Sequence, residues 1–148
     1  MQYSVGVDIG GTNIKLALVD KRARLKGKRT FSTASFKGKD ALIDGIVKQI
    51  KGLISDQGLK KRDITGVGIG APGAVDIRTG TVHYLVNIPN WREVPLGNIL
   101  KKRLGIPVFV DNDVNVMALG VFLKVRFNQR GQMCLPHERG GVSILPRT

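Results

Sequence analysis

Residues 5–12 read V-G-V-D-I-G-G-T, and this stretch decides the fold. An apolar run from Tyr3 to Ile9 carries one carboxylate near its end, Asp8, and breaks into Gly10-Gly11-Thr12. A second apolar run, Ile14 to Val19, closes on Asp20. Two β-rich runs joined by glycines predict a hairpin. Glycine has no side chain and tolerates positive φ, so the N–H groups of such a turn can approach an anion closely. Thr12 adds a hydroxyl at the same place, and Asn13 follows it. Asp8 stands at the mouth of the turn, where a carboxylate can hold a hydrated Mg²⁺ beside phosphates. Asp8, Gly10, Gly11, Thr12 and Asn13 are therefore read as a nucleotide phosphate clamp, with Asp8 reaching the metal through water. A plain turn without a ligand is the alternative. The P-loop spacing G-x-x-x-x-G-K-[ST] is absent.

Three further segments bear on that choice. One is Gly66-Val67-Gly68-Ile69-Gly70-Ala71-Pro72-Gly73-Ala74-Val75-Asp76, followed by Gly80-Thr81-Val82. Another is Asn87-Ile88-Pro89-Asn90-Trp91. The last runs from Val108 through Asp111-Asn112-Asp113 to Ala118-Leu119-Gly120. In this order and spacing they resemble the N-terminal half of the ROK family (repressor, open reading frame, kinase), and the bacterial glucokinases and related sugar kinases in particular. The resemblance covers residues 3–120, about four-fifths of the chain. The D-x-G-G-T turn is shared with the wider actin-like ATPase fold. The G-A-P-G-x-V-D and D-N-D-x-N-x-x-A-L-G segments are more specific. The resemblance implies an α/β fold of actin-like ATPase (ribonuclease H-like) type, a mixed sheet with helices on its faces. It also implies ATP and Mg²⁺ as cofactors, with polyphosphate an alternative phosphoryl donor, and a hexose, glucose foremost, as substrate.

The pattern along the chain fits that class. Strands are expected at 3–9, 13–19 and about 24–33, the three being antiparallel neighbours, with later strands parallel. A helix is expected from about Asp40 to Gln57, where Leu42, Ile43, Ile46, Val47, Ile50, Leu53 and Ile54 fall at helical spacing. Ile64 to Ala71 reads as a buried strand, 74–84 as a hairpin or loop, and Pro95 to Leu104 as a short helix. Ile106 to Val110 reads as another strand, after which Asp111-Asn112-Asp113 caps a helix starting near Val114. Strands alternating with helices argue α/β.

Carboxyl ends of strands are where open α/β sheets place ligands. A sugar hydroxyl attacking a γ-phosphate needs a base for its proton; the rest of the chemistry is positioning and charge neutralisation. Asp113 takes that role by resemblance to the aspartate of the family's N-D pair, and also contacts the sugar. Asn112 offers a donor and an acceptor to sugar hydroxyls. Simple helix capping is the alternative for both. Gly73 lets a sugar approach the backbone, or serves only its turn. Asn87, in what resembles the family's N-x-P-x-W loop, contacts sugar hydroxyls or fixes the loop. Trp91 reads as a packing anchor. His83, His137 and Cys134 lack metal-ligand spacing.

The chain has 148 residues, enough for one domain core, and 42% of them are apolar. No apolar run approaches the roughly 20 residues needed to span a bilayer. With no signal-peptide pattern and a lone Cys134, the sequence reads as cytoplasmic and not membrane-bound. Net charge is +13, with clusters at 21–29, 60–62 and 101–103. These read as solvated faces rather than a nucleic-acid surface, since aromatics make up only 5% of the chain.

After Gly120 the resemblance breaks. Val121 stands where the family has Glu, and no second glycine-rich phosphate motif follows. The C-terminal lobe, the family's zinc site and further sugar ligands are not found in the sequence. Residues 1–120 are thus read as an N-terminal actin-like lobe and 121–148 as an atypical basic tail, frame-shifted or truncated. A genuine short terminus packing over the exposed face is the alternative. Activity of the 148 residues alone is expected to be weak or nil. A homo-oligomer is a further expectation. The competing function is a non-catalytic sugar-binding or regulatory module of the same family. A repressor's DNA-binding segment ahead of the lobe has no room, because the hairpin starts at residue 8.

Overall fold

The computed structural model describes residues 2–116 and, beyond them, the backbone of the strand segments 126–127, 133–136 and 142–144. The chain separates into Met1–Val114 and Asn115–Thr148. The first unit runs β1 (Tyr3–Ile9), β2 (Asn13–Asp20), β3 (Leu25–Ser32), α1 (Lys39–Asp56), β4 (Ile64–Ala71), β5 (Val75–Asp76), β6 (Thr81–Tyr84), β7 (Arg92–Val94), α2 (Leu96–Leu104) and β8 (Val108–Asn112).

Five strands form one mixed sheet in the order β3-β2-β1-β4-β8. The β1–β2 and β2–β3 pairs are antiparallel; β1–β4 and β4–β8 are parallel. That is the expected arrangement, and its cause is the period-2 alternation of β1 and β2. Val5, Val7 and Ile9 face inward with Ile14, Leu16 and Leu18, while Gly6 and Asp8 face out. The seven apolar residues anticipated on α1 are all buried. Leu96, Leu100 and Leu104 of α2 join the same core, and both helices pack on this one face of the sheet. Burying each such side chain contributes about 1.5–3 kcal/mol. Among the described residues no helix is long and apolar enough to cross a membrane.

Strand β8 begins two residues later than the sequence indicated. Gly105 ends α2 in the left-handed region at φ 63, and its N–H donates to Lys101 O over 2.8 Å. Pro107 follows and has no N–H for a ladder; its carbonyl accepts from Val67 N at 2.9 Å instead. The strand therefore runs on through Asp111 and Asn112, and 113–116 is helical.

Strands β5, β6 and β7 make a small antiparallel sheet. Trp91, 1% exposed, anchors it, and its Nε1–H donates to Val82 O over 3.2 Å. It packs as expected and offers no open face to a sugar.

The β2–β3 turn is held by Asp20, which is buried. Its Oδ1 accepts from the N–H groups of Arg22 (2.9 Å) and Arg24 (3.0 Å), and its Oδ2 from Arg24 Nε at 2.7 Å. Burial alone would raise this carboxyl's pKa. The hydrogen bonds from Arg24 and Arg22 outweigh that and bring it from 3.8 to about 2. A carboxylate depressed by folding stabilises above its unfolded pKa and stops doing so as pH falls through its folded one. Stability is therefore expected to drop between about pH 4 and pH 2, and Asp20→Asn should flatten that part of the profile. Denaturant midpoints at pH 5, 3 and 2 measure both.

In the second unit β9 (Arg126–Phe127), β10 (Met133–Pro136) and β11 (Val142–Ile144) form an antiparallel sheet in the order β11-β10-β9. The sequence showed no period there. His137, the Cys134 side chain and the part beyond residue 116 of the helix expected from Val114 lie outside the described residues.

Candidate active site

Strands β1, β4 and β8 run parallel, so their carboxyl ends share one edge of the sheet. Gly10 follows β1, Pro72-Gly73 follows β4, and Asp113 follows β8. This places three separate sequence segments side by side. The register ties them further. Asp8 pairs with Gly70, and Gly70 with Asp111. Residues in register point to the same face, and strands lie about 4.8 Å apart, so Asp8 and Asp111 face outward about 10 Å apart with only a glycine between them. Lys15 extends the row beyond Asp8.

The turn after β1 is closed by Gly10 N–H donating to Asn13 O over 3.0 Å. The amides of Gly11 and Thr12 donate to no described residue. Asn87 Nδ2 donates to Gly11 O at 3.3 Å. A Cβ on Gly11 would stand 2.8 Å from that nitrogen, the end of a side chain that can swing aside, whereas a Cβ on Gly10 would stand 2.5 Å from the Asn13 carbonyl oxygen, so it is position 10 that requires glycine. Asp8 is exposed, and its carboxylate takes no hydrogen bond or ion pair from a described residue.

On the other side of the site Gly73 adopts φ 82, which an L-residue resists. Its carbonyl accepts from Asn112 Nδ2 at 2.6 Å. Asn112 Oδ1 accepts from Val114 N at 3.0 Å, and Asp113 Oδ1 accepts from the same N–H at 2.8 Å. Asn112 thus joins the end of β8 to the turn after β4. It retains one amide hydrogen and one lone pair for a ligand. Asp113 retains Oδ2. Asp111 Oδ1 accepts from Asn112 N at 2.6 Å. The β6–β7 loop spans both halves: Tyr84 O lies 3.6 Å from a Cβ built on Gly73, and Asn87 touches Gly11.

One residue here escaped the sequence reading. Thr33, 3% exposed, donates its hydroxyl to Gly10 O at 3.0 Å and its N–H to Thr12 O at 2.9 Å. The signal was available in the hairpin count: Asn13 pairs with Ser32, which brings residue 33 beside residue 12.

The free carboxylate of Asp8 suits Mg²⁺ held through water. No group of three His, Cys, Asp or Glu that could cage a metal occurs among the described residues. The ion would therefore take most of its ligands from phosphate and water, as Mg²⁺ ordinarily does. It would supply charge neutralisation there.

The chain matches the family model described as ROK family over residues 4–133. It is 36% identical over 123 residues to a glucokinase of Halalkalibacterium halodurans, covering 83% of this chain and 37% of that one. It is also 28% identical over 116 residues to a xylose repressor of Caldicellulosiruptor bescii, covering 78% of this chain and 29% of the repressor. The structure of a ROK family glucokinase from Streptomyces griseus, in complex with glucose and AMPPNP, superposes with a TM-score of 0.70 at 35% identity. That match covers 81% of this chain and 36% of the other. The chain thus spans little more than a third of the length of the glucokinases it matches. Its mixed sheet has the actin-like ATPase fold of the ROK sugar kinases. Fold, motif order and the match over most of its length agree that this chain belongs to the ROK family.

Proposed function

We propose that residues 1–120 are the N-terminal lobe of an ATP-dependent hexose kinase of glucokinase type, acting in the cytoplasm. The observation that carries this reading is the shared end of the parallel strands β1, β4 and β8, which holds both a turn with two unengaged amides, after β1, and a carboxylate with an open oxygen, after β8. The Gly11 and Thr12 amides take the nucleotide phosphates. Asn112, Asn87 and the backbone at Gly73 orient the hexose. Asp113 Oδ2 accepts the proton of the attacking hydroxyl as its oxygen bonds to the γ-phosphorus. The bond from that phosphorus to the β-γ bridging oxygen breaks, and ADP leaves with the electron pair.

The test joins these residues to the C-terminal lobe of a ROK glucokinase and measures ADP release over a panel of hexoses. The joined protein is expected to phosphorylate glucose, and the 148 residues alone to stay at background, since half the nucleotide clamp lies in the other lobe. Robust turnover by the 148 residues alone would overturn the half-site reading. The xylose-repressor relatives favour one alternative, a regulatory sugar-binding module. A joined protein that binds sugar without nucleotide or turnover would establish that alternative instead.

A further inference from the structure

Three consecutive carbonyls of the glycine turn are each held by a donor outside it. Gly10 O accepts the Thr33 hydroxyl at 3.0 Å, Gly11 O accepts Asn87 Nδ2 at 3.3 Å, and Thr12 O accepts the Thr33 N–H at 2.9 Å. A trans peptide is planar, with its C=O and N–H pointing in opposite directions. Holding Gly10 O therefore sets the direction of the Gly11 N–H, and holding Gly11 O sets that of the Thr12 N–H. Without these ties, glycines at 10 and 11 would let both peptide planes rotate.

We propose that Thr33 and Asn87 are positioning residues that aim the Gly11 and Thr12 amides at the bound anion. Thr33 fixes the first peptide plane from the protein interior. Asn87 fixes the second from the β6–β7 loop, so the loop read as contacting sugar also sets the geometry of the phosphate turn. The proposal rests on the reading of that turn as a phosphate site. Thr33 is suited to its part because it is buried: its hydroxyl competes with no water, and its N–H and Oγ1 reach two different carbonyls from one fixed backbone position. Valine at this position keeps the shape and the N–H but loses the hydroxyl donor.

The test uses ¹⁵N-labelled 148-residue chain with Thr33→Val, Thr33→Ser and Asn87→Ala. Backbone order parameters are measured on this chain without ligand, and the amide shifts of the same residues are followed during titration with Mg·ADP in the protein joined to a C-terminal lobe. Wild type and Thr33→Ser should show a rigid turn, with S² near about 0.85 at Gly11. Thr33→Val should fall toward about 0.6 there, while the β1 and β2 amides stay rigid. Asn87→Ala, an exposed substitution, should loosen Thr12 more than Gly11. Losing one such hydrogen bond should weaken Mg·ADP about three- to tenfold. Unchanged order parameters in Thr33→Val and Asn87→Ala would overturn the proposal whether or not nucleotide binds. A rigid wild-type turn whose shifts ignore Mg·ADP would instead count against the phosphate-site reading.

Discussion

Asp113→Asn, in the protein joined to a C-terminal lobe, is expected to keep the fold and most of the sugar affinity while lowering kcat about 100- to 10,000-fold, the range for losing a general base. The geometry makes the substitution a clean one. Asparagine retains an Oδ1 that can accept from Val114 N–H, the bond Asp113 makes at 2.8 Å, so the start of the helix is undisturbed. What changes is the second oxygen, which becomes an NH₂ that cannot take a proton. Asn112 beside it is already an amide and cannot substitute.

Asp111 is the competing base. It lies in register with Asp8 on the outward face and is also at the cleft edge of the sheet. Both carboxylates accept a neighbouring backbone N–H on Oδ1, Asp111 from Asn112 and Asp113 from Val114, so hydrogen bonding does not separate them; Asp113 is preferred because it follows the strand end and matches the aspartate of the N-D pair. Asp111→Asn should therefore be the milder change. Steady-state kcat and KM for both variants decide between them: a large kcat loss in Asp111→Asn with near-normal Asp113→Asn would move the base to the strand end.

Which parts of this arrangement could be read in advance depended on whether the signal was local. The β1–β2 hairpin was legible because its glycines interrupt two alternating runs, and α1 because seven apolar residues repeat at helical spacing. The start of β8 was not. Apolar Ile106 extends the run, and only the missing N–H of Pro107, set against the needs of the β4 ladder, moves the strand to Val108. Strand β7 is three residues long and has no period to detect. Thr33 shows a different limit. No motif marks it, and its two bonds to the turn follow from the pairing of β2 with β3 rather than from its own neighbours in sequence. The resemblance to ROK kinases pointed to residues proposed for ligand contact; it did not point to Thr33, which holds the turn in place.

Asp8 offers the sharpest separation of function from stability. It lies on the outward face of β1 and engages no described residue, so removing its carboxylate leaves no broken bond and no cavity. Asp8→Ala should thus shift unfolding free energy by no more than about 0.5 kcal/mol, as surface substitutions do. In the joined protein the same change should cut turnover about 100- to 1000-fold, the scale of losing one preorganised electrostatic contact. The charge that neutralises phosphate would then be held less well, so the Mg²⁺ concentration giving half-maximal rate should rise. Lys15, next in the row, has a charge of the wrong sign to replace it. Denaturant midpoints and a Mg²⁺ titration of the rate measure the two arms. A variant that unfolds would assign Asp8 to the architecture of the sheet. A variant that turns over normally would leave the glycine turn without its metal ligand. Only the combination of an intact fold, low turnover and a raised Mg²⁺ requirement agrees with an exposed carboxylate set beside two open amides.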